Sequence, residues 1–314
     1  MGRFSTYWTF CPCESEPMIE LAPRHKYGLA IPGPVMPAAG TFGYGDAYAD
    51  WVDPSLLGAI VTNPVSMRPR RAAHGQRIAV RGDTLVVHTG WPNPGLRRLL
   101  REVRETWERL PVPVIVHLLA GSPAETAQAA ALLSTVTGVG GIELGFMASV
   151  SRRQAVETVA AAATEGDLPV IAQIPFDRVD DLAPLLARQG ADALTLTAPP
   201  RAVVPIAMGD SSTAEAWNLE AEGTTDEVGV ARYLRGRLYG RALFPLLLNI
   251  LSRWAQKLPV PVIACGGIAS AEDAMACLTL GAAAVQIDAL IWHEPSLINV
   301  VARGLEKPAQ EEVR

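Results

Sequence analysis

Short apolar runs rich in β-branched residues alternate along this chain with longer stretches in which apolar residues recur every three or four positions. The runs predict strands and the stretches predict amphipathic helices, an order typical of a parallel sheet covered by helices. The predicted strands begin at Gly33, Gly58, Pro113, Gly141, Pro169, Ala193, Pro261 and Ala283. The predicted helices span residues 123–137, 152–165, 179–189, 243–257 and 271–280.

Eight strands alternating with helices in this way predict a closed (β/α)8 barrel, with a doubly wound open sheet as the structural alternative. Two segments depart from the alternation: residues 77–90 predict a hairpin, and residues 202–239 form a polar excursion after the sixth strand. In a barrel both would stand over the carboxyl ends of the strands, where active sites are built. We expect one barrel domain over residues 18–308, with a loose extension at 1–17 and a tail at 309–314.

Composition narrows the class of protein. The 314 residues are 49% hydrophobic and 19% charged, enough for the core of one large α/β domain. A formal net charge of -5 argues against a surface that binds nucleic acid. No apolar run reaches the ~18 residues of a membrane span, and the first residues lack the pattern of a signal peptide, so we expect a cytoplasmic protein. Cys11 and Cys13 have no second ligand cluster after them, and we expect no metal site.

The turn Gly266–Gly267 follows the seventh predicted strand and precedes a helix that opens at Ser270. Glycines at this point allow a tight passage from strand to helix, and that alone can explain them. Barrels also bind phosphate with the loops after strands seven and eight, through exposed backbone N–H groups. The turn is therefore a candidate anion site.

Several motifs in a fixed order make the comparison with known families specific. They are MPAAGTFGYGDAYADW (36–51), LGAIVTNPVSMRPR (57–70), GWPNPG (90–95), LYGRALFP (238–245) and IACGGIASAEDAMACLTLGAAAVQ (263–286). Together they resemble the dihydroorotate dehydrogenase family, and GTFGYG is most similar to the class 1 enzymes that work with a separate electron-transfer subunit. The resemblance runs from about Gly33 to Glu306.

The resemblance implies a barrel that carries FMN at its carboxyl end and oxidises dihydroorotate to orotate in pyrimidine biosynthesis. In that chemistry hydride passes to the flavin while a loop base removes the neighbouring proton. It also implies a homodimer with a small-molecule ligand. Residues of this chain match the family's cofactor cradle at the flavin ring, at a Ser-Gly turn whose serine is Tyr239 here, and at the phosphate turn. These matching residues are Ala38, Ala39, Gly40, Gly240, Gly266 and Gly267.

The polar residues of the family's site are largely replaced. Asn63 and Gln173 stand where the family has lysines beside the flavin. A neutral amide donates a hydrogen bond but supplies no full charge, so it would stabilise reduced flavin less well. The catalytic position is therefore unassigned in this chain, because Ala148 stands at the base position and alanine cannot accept a proton.

The family's substrate-binding asparagines are missing too: Gly145, Val150, Val87 and Ala198 stand at or near their positions. Each buried polar group left unpaired in such a site costs roughly 1–3 kcal/mol, so the losses would abolish orotate affinity unless other groups replace them. The polar side chains available near the predicted site are those of His88, Thr89, His117 and Asp288.

Three further features bear on the ligand. Asp288 stands near the predicted phosphate position, where a carboxylate repels an anion unless its side chain points outward. Trp91 replaces a leucine over the predicted flavin pocket. The arginine cluster Arg68, Arg70 and Arg71 has three explanations: an anionic ligand, a partner protein or a solvated loop.

Two functions remain open at this point. The first is an FMN-dependent oxidoreductase of the dihydroorotate dehydrogenase family, acting on dihydroorotate or on another substrate. The second is a non-catalytic barrel that serves as a binding or accessory subunit.

Overall fold

The computed structural model describes residues 18–206, 225–228 and 231–306. The predicted extension at 1–17, the tail at 309–314, both N-terminal cysteines and residues 207–224 of the excursion lie outside the described residues.

The strands, numbered in chain order, are β1 (Ile19–Glu20), β2 (Ala30–Ile31), β3 (Val35–Pro37), β4 (Ile60–Val61), β5 (Ile78–Arg81), β6 (Thr84–Val87), β7 (Val114–Leu119), β8 (Val139–Gly145), β9 (Val170–Pro175), β10 (Ala193–Ala198), β11 (Arg201–Ile206), β12 (Thr225–Val228), β13 (Ala231–Gly240), β14 (Val262–Cys265) and β15 (Ala284–Ile287). The α-helices are α1 (Leu96–Arg109), α2 (Pro123–Leu133), α3 (Arg152–Glu165), α4 (Val179–Leu186), α5 (Phe244–Trp254), α6 (Ala271–Thr279) and α7 (Leu297–Glu306).

Eight parallel strands form the main sheet, in the order β3-β15-β14-β10-β9-β8-β7-β4. This order follows the chain around a ring, which a doubly wound open sheet does not do. The two ends of the path meet where the Gly58 N–H donates to the Val35 carbonyl oxygen at 2.8 Å. The sheet is thus nearly closed, and the predicted (β/α)8 barrel is confirmed.

The five predicted helices are confirmed, with some ends moved inward; α2, for example, ends at Leu133 instead of residue 137. Serine side chains begin three of them, because Ser122, Ser151 and Ser270 each accept a hydrogen bond from a backbone N–H of the first turn. Two helices not predicted above, α1 and α7, complete the covering layer. No helix among the described residues has the length and apolar character needed to cross a membrane.

Alternate side chains of the barrel strands point to opposite faces, as the period of a strand requires. One face packs under the helices in the large core, which includes Val114 and Ile142. The other face fills the barrel floor with small and branched side chains. The strand residues of this floor are Met36, Val61, Ile115, Ile171, Ala193, Ile263 and Ala284. The next inward positions lie two residues further along each strand, toward the carboxyl end.

The predicted hairpin is confirmed as β5 and β6, and it does not stand alone. β6 pairs with β13, and β13 pairs with β11 and β12, so the hairpin and the excursion join in one antiparallel sheet. In this sheet Arg237 lies opposite both Val87 and Arg201. The last residue of β13 is Gly240, so the sheet leads directly into one of the predicted cradle turns.

The meeting point of the sheet ends yields a test of the barrel. A Cβ atom at Gly58 would collide with the Gly33 carbonyl oxygen, whereas a Cβ at Gly33 would lie 4.0 Å from its nearest neighbour, the Leu56 carbonyl oxygen. We expect Gly58→Ala to lower the free energy of unfolding by roughly 1–3 kcal/mol, as overpacking does. Gly33→Ala is the matched control and should change it little. Urea unfolding of both variants measures the difference, and equal stability would contradict the described contact.

Candidate active site at the carboxyl end of the barrel

A buried polar network lies directly above the apolar floor. His117 on β7 and Glu143 on β8 are neighbours in register, and the His117 Nδ1 is 2.7 Å from the Glu143 Oε2. The other carboxylate oxygen of Glu143, Oε1, accepts hydrogen bonds from the Thr195 hydroxyl at 2.6 Å and the Gln286 amide at 2.8 Å. All four side chains are buried. The carboxylate therefore connects four barrel strands.

The partners of Glu143 decide its ionisation. Burial by itself raises the pKa of this carboxyl group, but the hydrogen bond and charge of His117 and the hydrogen bonds from Thr195 and Gln286 outweigh burial, and the pKa lies below its ordinary value. Glu143 is thus a carboxylate at neutral pH. The signal for it was present in the sequence, since a charged residue inside an apolar strand is rarely buried without partners.

His117 fills the place of a missing side chain. A Cβ atom at Gly145 would collide with the His117 Nε2, so the imidazole occupies the space into which a residue-145 side chain would project. The family resemblance predicts that this position corresponds to a substrate-binding asparagine, and here the imidazole of the adjacent strand fills the space. Because Nδ1 faces Glu143, the Nε2 is the nitrogen directed over Gly145.

The residues predicted to stand at the family's lysine positions are Asn63, which follows β4, and Gln173 on β9, the strand between those of Glu143 and Thr195. Asn63 is engaged with a loop: its Oδ1 accepts the Gly43 N–H at 3.2 Å, and its own N–H donates to the Gly43 carbonyl oxygen at 2.6 Å. It therefore holds the β3 and β4 loops together. Gln173 is buried and stands in register with Gly145 and Thr195 on the inward face.

The predicted ring cradle lies at the end of β3. Ala38 is buried, with its N–H donating to the Ile287 carbonyl oxygen at 2.7 Å, while Ala39 and Gly40 keep part of their surface accessible. Gly40 has a φ of 88°, which few residues other than glycine adopt. The small residues therefore leave an accessible surface at the barrel mouth.

The two glycine turns of the predicted phosphate site pack against each other. Gly267 has a φ of 71°, and a Cβ there would lie 2.7 Å from the Phe244 nitrogen and 2.9 Å from the Gly240 carbonyl oxygen. Gly240 and Gly266 also have positive φ values, of 137° and 128°. Close backbone approach requires glycine at positions 240 and 267, and the positive φ favours it at position 266, whatever ligand the turns meet.

Asp288 does not point outward. Its side chain is buried, and its Oδ2 accepts the Gly267 N–H at 3.1 Å. A backbone donor of the Gly266–Gly267 turn is therefore already bonded to a carboxylate. Two unit charges of like sign about 4 Å apart repel by about 4 kcal/mol at an effective dielectric constant of about 20, so an anion would be disfavoured at this turn.

Tyr239 stands beside the same carboxylate. Its ring contacts that of Trp292, with 5.5 Å between centroids at an interplanar angle of 59°. Burial raises the pKa of Tyr239, and the negative charge of Asp288 raises it further. The phenol is therefore neutral at physiological pH. The rings of Tyr239 and Trp292 therefore fill more space than the serine that the family resemblance predicts at position 239.

The loop at the family's base position is held by its backbone. Arg178 Nη1 donates to the carbonyl oxygens of Ala148 and Val150 at 2.9 and 2.8 Å, and the other guanidinium nitrogens pair with Asp181. Residues 145–150 contain no ionisable side chain. At the base position itself Ala148 offers no proton acceptor, and Ser149 beside it carries the one hydroxyl side chain of residues 145–150.

Positive charge gathers on the hairpin side of the mouth. The guanidinium carbons of Arg70 and Arg237 lie 5.8 and 5.6 Å from the Trp91 ring centroid. Burial lowers the pKa of His88, and the charge of Arg237 lowers it further, so this imidazole is neutral at pH 7. Arg237 was missed by the sequence reasoning.

The described residues contain no group of three or more side chains that could hold a metal ion.

The contact between His117 and Gly145 predicts a strong energetic coupling. Gly145→Ala should lower the free energy of unfolding by roughly 1–3 kcal/mol, because the new methyl group displaces the imidazole. In the background of His117→Ser the same change should cost much less, since the space is then open. A double-mutant cycle from urea unfolding measures the coupling. Additive effects would contradict the overlap of the two side chains.

The low pKa of Glu143 predicts that the free energy of unfolding depends on pH. A carboxyl group with a depressed folded-state pKa stabilises the protein above its unfolded pKa of about 4.3 and loses this contribution as the pH falls through the folded value. Glu143→Gln should therefore lower stability at pH 7 by roughly 1–3 kcal/mol and flatten the acid limb of the stability curve. The exposed Glu105→Gln is the control. An acid limb of unchanged slope in Glu143→Gln would show that Glu143 is not ionised in the folded protein.

Comparisons with a family model and with known proteins point to the same family. The family model described as dihydroorotate dehydrogenase matches residues 24–173 and 182–308. The chain is 30% identical over 296 residues to the dihydroorotate dehydrogenase B (NAD(+)) catalytic subunit of Pelobacter propionicus, covering 90% of this chain and 92% of the relative. It is 28% identical to proteins of the same name from Geotalea uraniireducens, with 90% and 92% covered, and Geotalea daltonii, with 89% and 90% covered. With matches of this extent and a nearly closed barrel of parallel strands, the chain belongs to the dihydroorotate dehydrogenase family.

Proposed function

We propose that this chain is a barrel of the dihydroorotate dehydrogenase family that no longer oxidises dihydroorotate with FMN and acts as a small-molecule-binding accessory subunit. The observation that carries the proposal is the hydrogen bond from the Gly267 N–H to the buried Asp288 carboxylate. In this arrangement the turn that would hold the FMN phosphate holds a side chain of the protein. The residues present do not fit that phosphate at the Gly266–Gly267 turn.

The loss of proton-handling groups supports the same proposal. Ala148 stands at the base position, and its loop is pinned by Arg178 through backbone carbonyl groups only. Asn63, at one lysine position, is committed to Gly43. Removing a general base alone lowers a rate by about 10²–10⁴-fold. The loss of the base and of both lysines together would leave little turnover of dihydroorotate.

The names of the relatives support a multi-subunit setting. The proteins of Pelobacter and Geotalea are named catalytic subunits of dihydroorotate dehydrogenase B, a name that implies further subunits. We propose that this chain likewise assembles with partners, as a homodimer or beside an electron-transfer subunit, and that it works in the cytoplasm.

Flavin content tests the proposal directly. Protein purified without added flavin should be colourless and should hold far less than one FMN per chain, and a titration with FMN followed by flavin fluorescence should show weak binding. Anaerobic mixing of FMN-supplemented protein with dihydroorotate should not bleach the flavin absorbance. Purification of a yellow protein with about one FMN per chain, bleached by dihydroorotate, would refute the proposal.

Asp288 provides the matched variant for this test. Asp288→Asn removes the negative charge beside the turn and should raise FMN affinity by about tenfold or more, because the phosphate no longer meets a carboxylate. Asp50→Asn removes one negative charge from an exposed position and should leave FMN affinity unchanged. Equal FMN affinity in the Asp288 variant and the wild type would mean that Asp288 does not oppose the phosphate.

A second candidate function is an enzyme of the same family redirected to another substrate. The paired His117 and Glu143 favour it, because a carboxylate that holds Nδ1 of a histidine leaves Nε2 able to accept or donate a proton. If the purified wild-type protein retains FMN, the result supports an enzyme with another substrate and contradicts the accessory-subunit function. His117→Gln, which keeps a hydrogen-bonding side chain but cannot act as an acid or a base, should then abolish any turnover found.

A further inference from the structure

Trp91 is held in an unusual backbone conformation between two cationic side chains. Its φ of 51° lies in the left-handed region, which is uncommon outside glycine and is costly for a bulky residue. The conformation is fixed by its N–H, which donates to the Thr89 hydroxyl at 3.1 Å, and by its carbonyl oxygen, which accepts from the Asn93 amide at 3.1 Å. The loop thus presents the indole to Arg70 and Arg237 at the barrel mouth.

Arg237 carries a positive charge in a partly buried place. Its Nη1 donates to the Pro199 carbonyl oxygen at 3.1 Å, and it forms no ion pair with an acidic side chain among the described residues. Burial is the main reason why the pKa of Arg237 lies below its ordinary value; the charge of Arg201 acts in the same direction, and Tyr239 and Asp177 act against it. A partly desolvated cation without a carboxylate partner is unfavourable.

The register of the antiparallel sheet adds to this cost. Arg201 lies directly opposite Arg237, and residues directly opposite on antiparallel strands project from the same face. Like charges in this position destabilise a strand pair. A cation over an indole gains only about 0.5–2 kcal/mol, which accounts for the ring contact but leaves the guanidinium N–H groups of Arg237 without a negatively charged oxygen acceptor within the described part of the chain. An anionic oxygen supplied by a ligand would satisfy them.

The two ends of the mouth therefore differ in charge. Asp288 makes the Gly266–Gly267 end negative, and Arg70 with Arg237 makes the Trp91 end positive. Tyr239, two residues from Arg237 on β13, feels the charges of both Arg237 and Asp288. A ligand that lies across the mouth would be oriented with its anionic group toward Trp91.

We propose that Arg70, Arg237 and Trp91 form a binding site for the oxyanion of a small molecule, a carboxylate or a phosphate, with the indole packing against the carbon part of the ligand. The proposal specifies the class of ligand, a small molecule with an oxyanion. It rests on the proposed function, in which the barrel binds a small molecule. Guanidinium groups recognise both oxyanions through paired N–H donors, so the chemistry is shared and the experiment separates the two sources.

Isothermal titration with inorganic phosphate and with benzoate, at low ionic strength, tests the site. Wild-type protein should bind at least one of the two probes, and the tighter one identifies the ligand class. Arg237→Gln and Arg70→Gln should each weaken that binding by about tenfold or more, because each removes a charged donor. Arg98→Gln, an exposed arginine on α1 paired with Glu102, is the matched control and should bind like the wild type.

Arg70 is exposed, so Arg70→Gln tests the site even if Arg237→Gln fails to fold, and circular dichroism checks the folding of each variant. The proposal is overturned if wild-type protein binds neither probe, if Arg70→Gln binds as tightly as wild type, or if Arg98→Gln weakens binding as much as the site variants do. The outcome is independent of flavin content. One FMN per chain with oxyanion binding lost in Arg70→Gln would refute the accessory function and leave this site standing.

Discussion

A single buried carboxylate ties the barrel together at the level of the candidate site. Glu143 on β8 receives hydrogen bonds from β7, β10 and β15, so one charged group joins strands on different sides of the ring. A charge in this position is tolerated only because every neighbour offers a donor, since an unpaired buried carboxylate would be strongly unfavourable. The network therefore sets the height at which the apolar floor ends and the polar mouth begins. Every residue discussed in the site lies at or above it.

The space beside Gly145 on β8 is filled by a side chain from the neighbouring strand β7. A glycine on β8 removes a side chain, and a histidine on β7 fills the same space while bonding to Glu143. His117 and Glu143 are partners in the parallel register of β7 and β8, so the imidazole reaches this space without a break in the pairing there. The group offered at that point is therefore an imidazole held by a carboxylate.

The charged side chains at the barrel mouth are set independently of its shape. Glycine turns and small residues line the barrel mouth at the positions predicted to hold a cofactor, while the Asp288 carboxylate and the Arg70 and Arg237 guanidinium groups give the mouth a polarity. Shape and charge are independent properties of a pocket, because the first follows from backbone geometry and the second from a few side chains. A chain can therefore share the barrel of a family while its pocket selects a different ligand.

The sequence by itself determined the alternation of strands and helices, since hydrophobic periodicity, serine helix caps and glycine turns are local signals that each strand or helix carries alone. The closure of the strands into a ring was decided by the tertiary structure, where the first and last strands of the sheet path meet. It also located Asp288, Gly145 and Ala148, because these stand in motifs of recognisable order. Only the tertiary structure decided where the Asp288 carboxylate points, that His117 occupies the space over Gly145, and that the hairpin and the excursion form one sheet. Those facts depend on contacts between residues far apart in the chain. Arg237 and Trp91, for example, meet only because β6 and β13 pair, and nothing in either segment specifies that pairing locally.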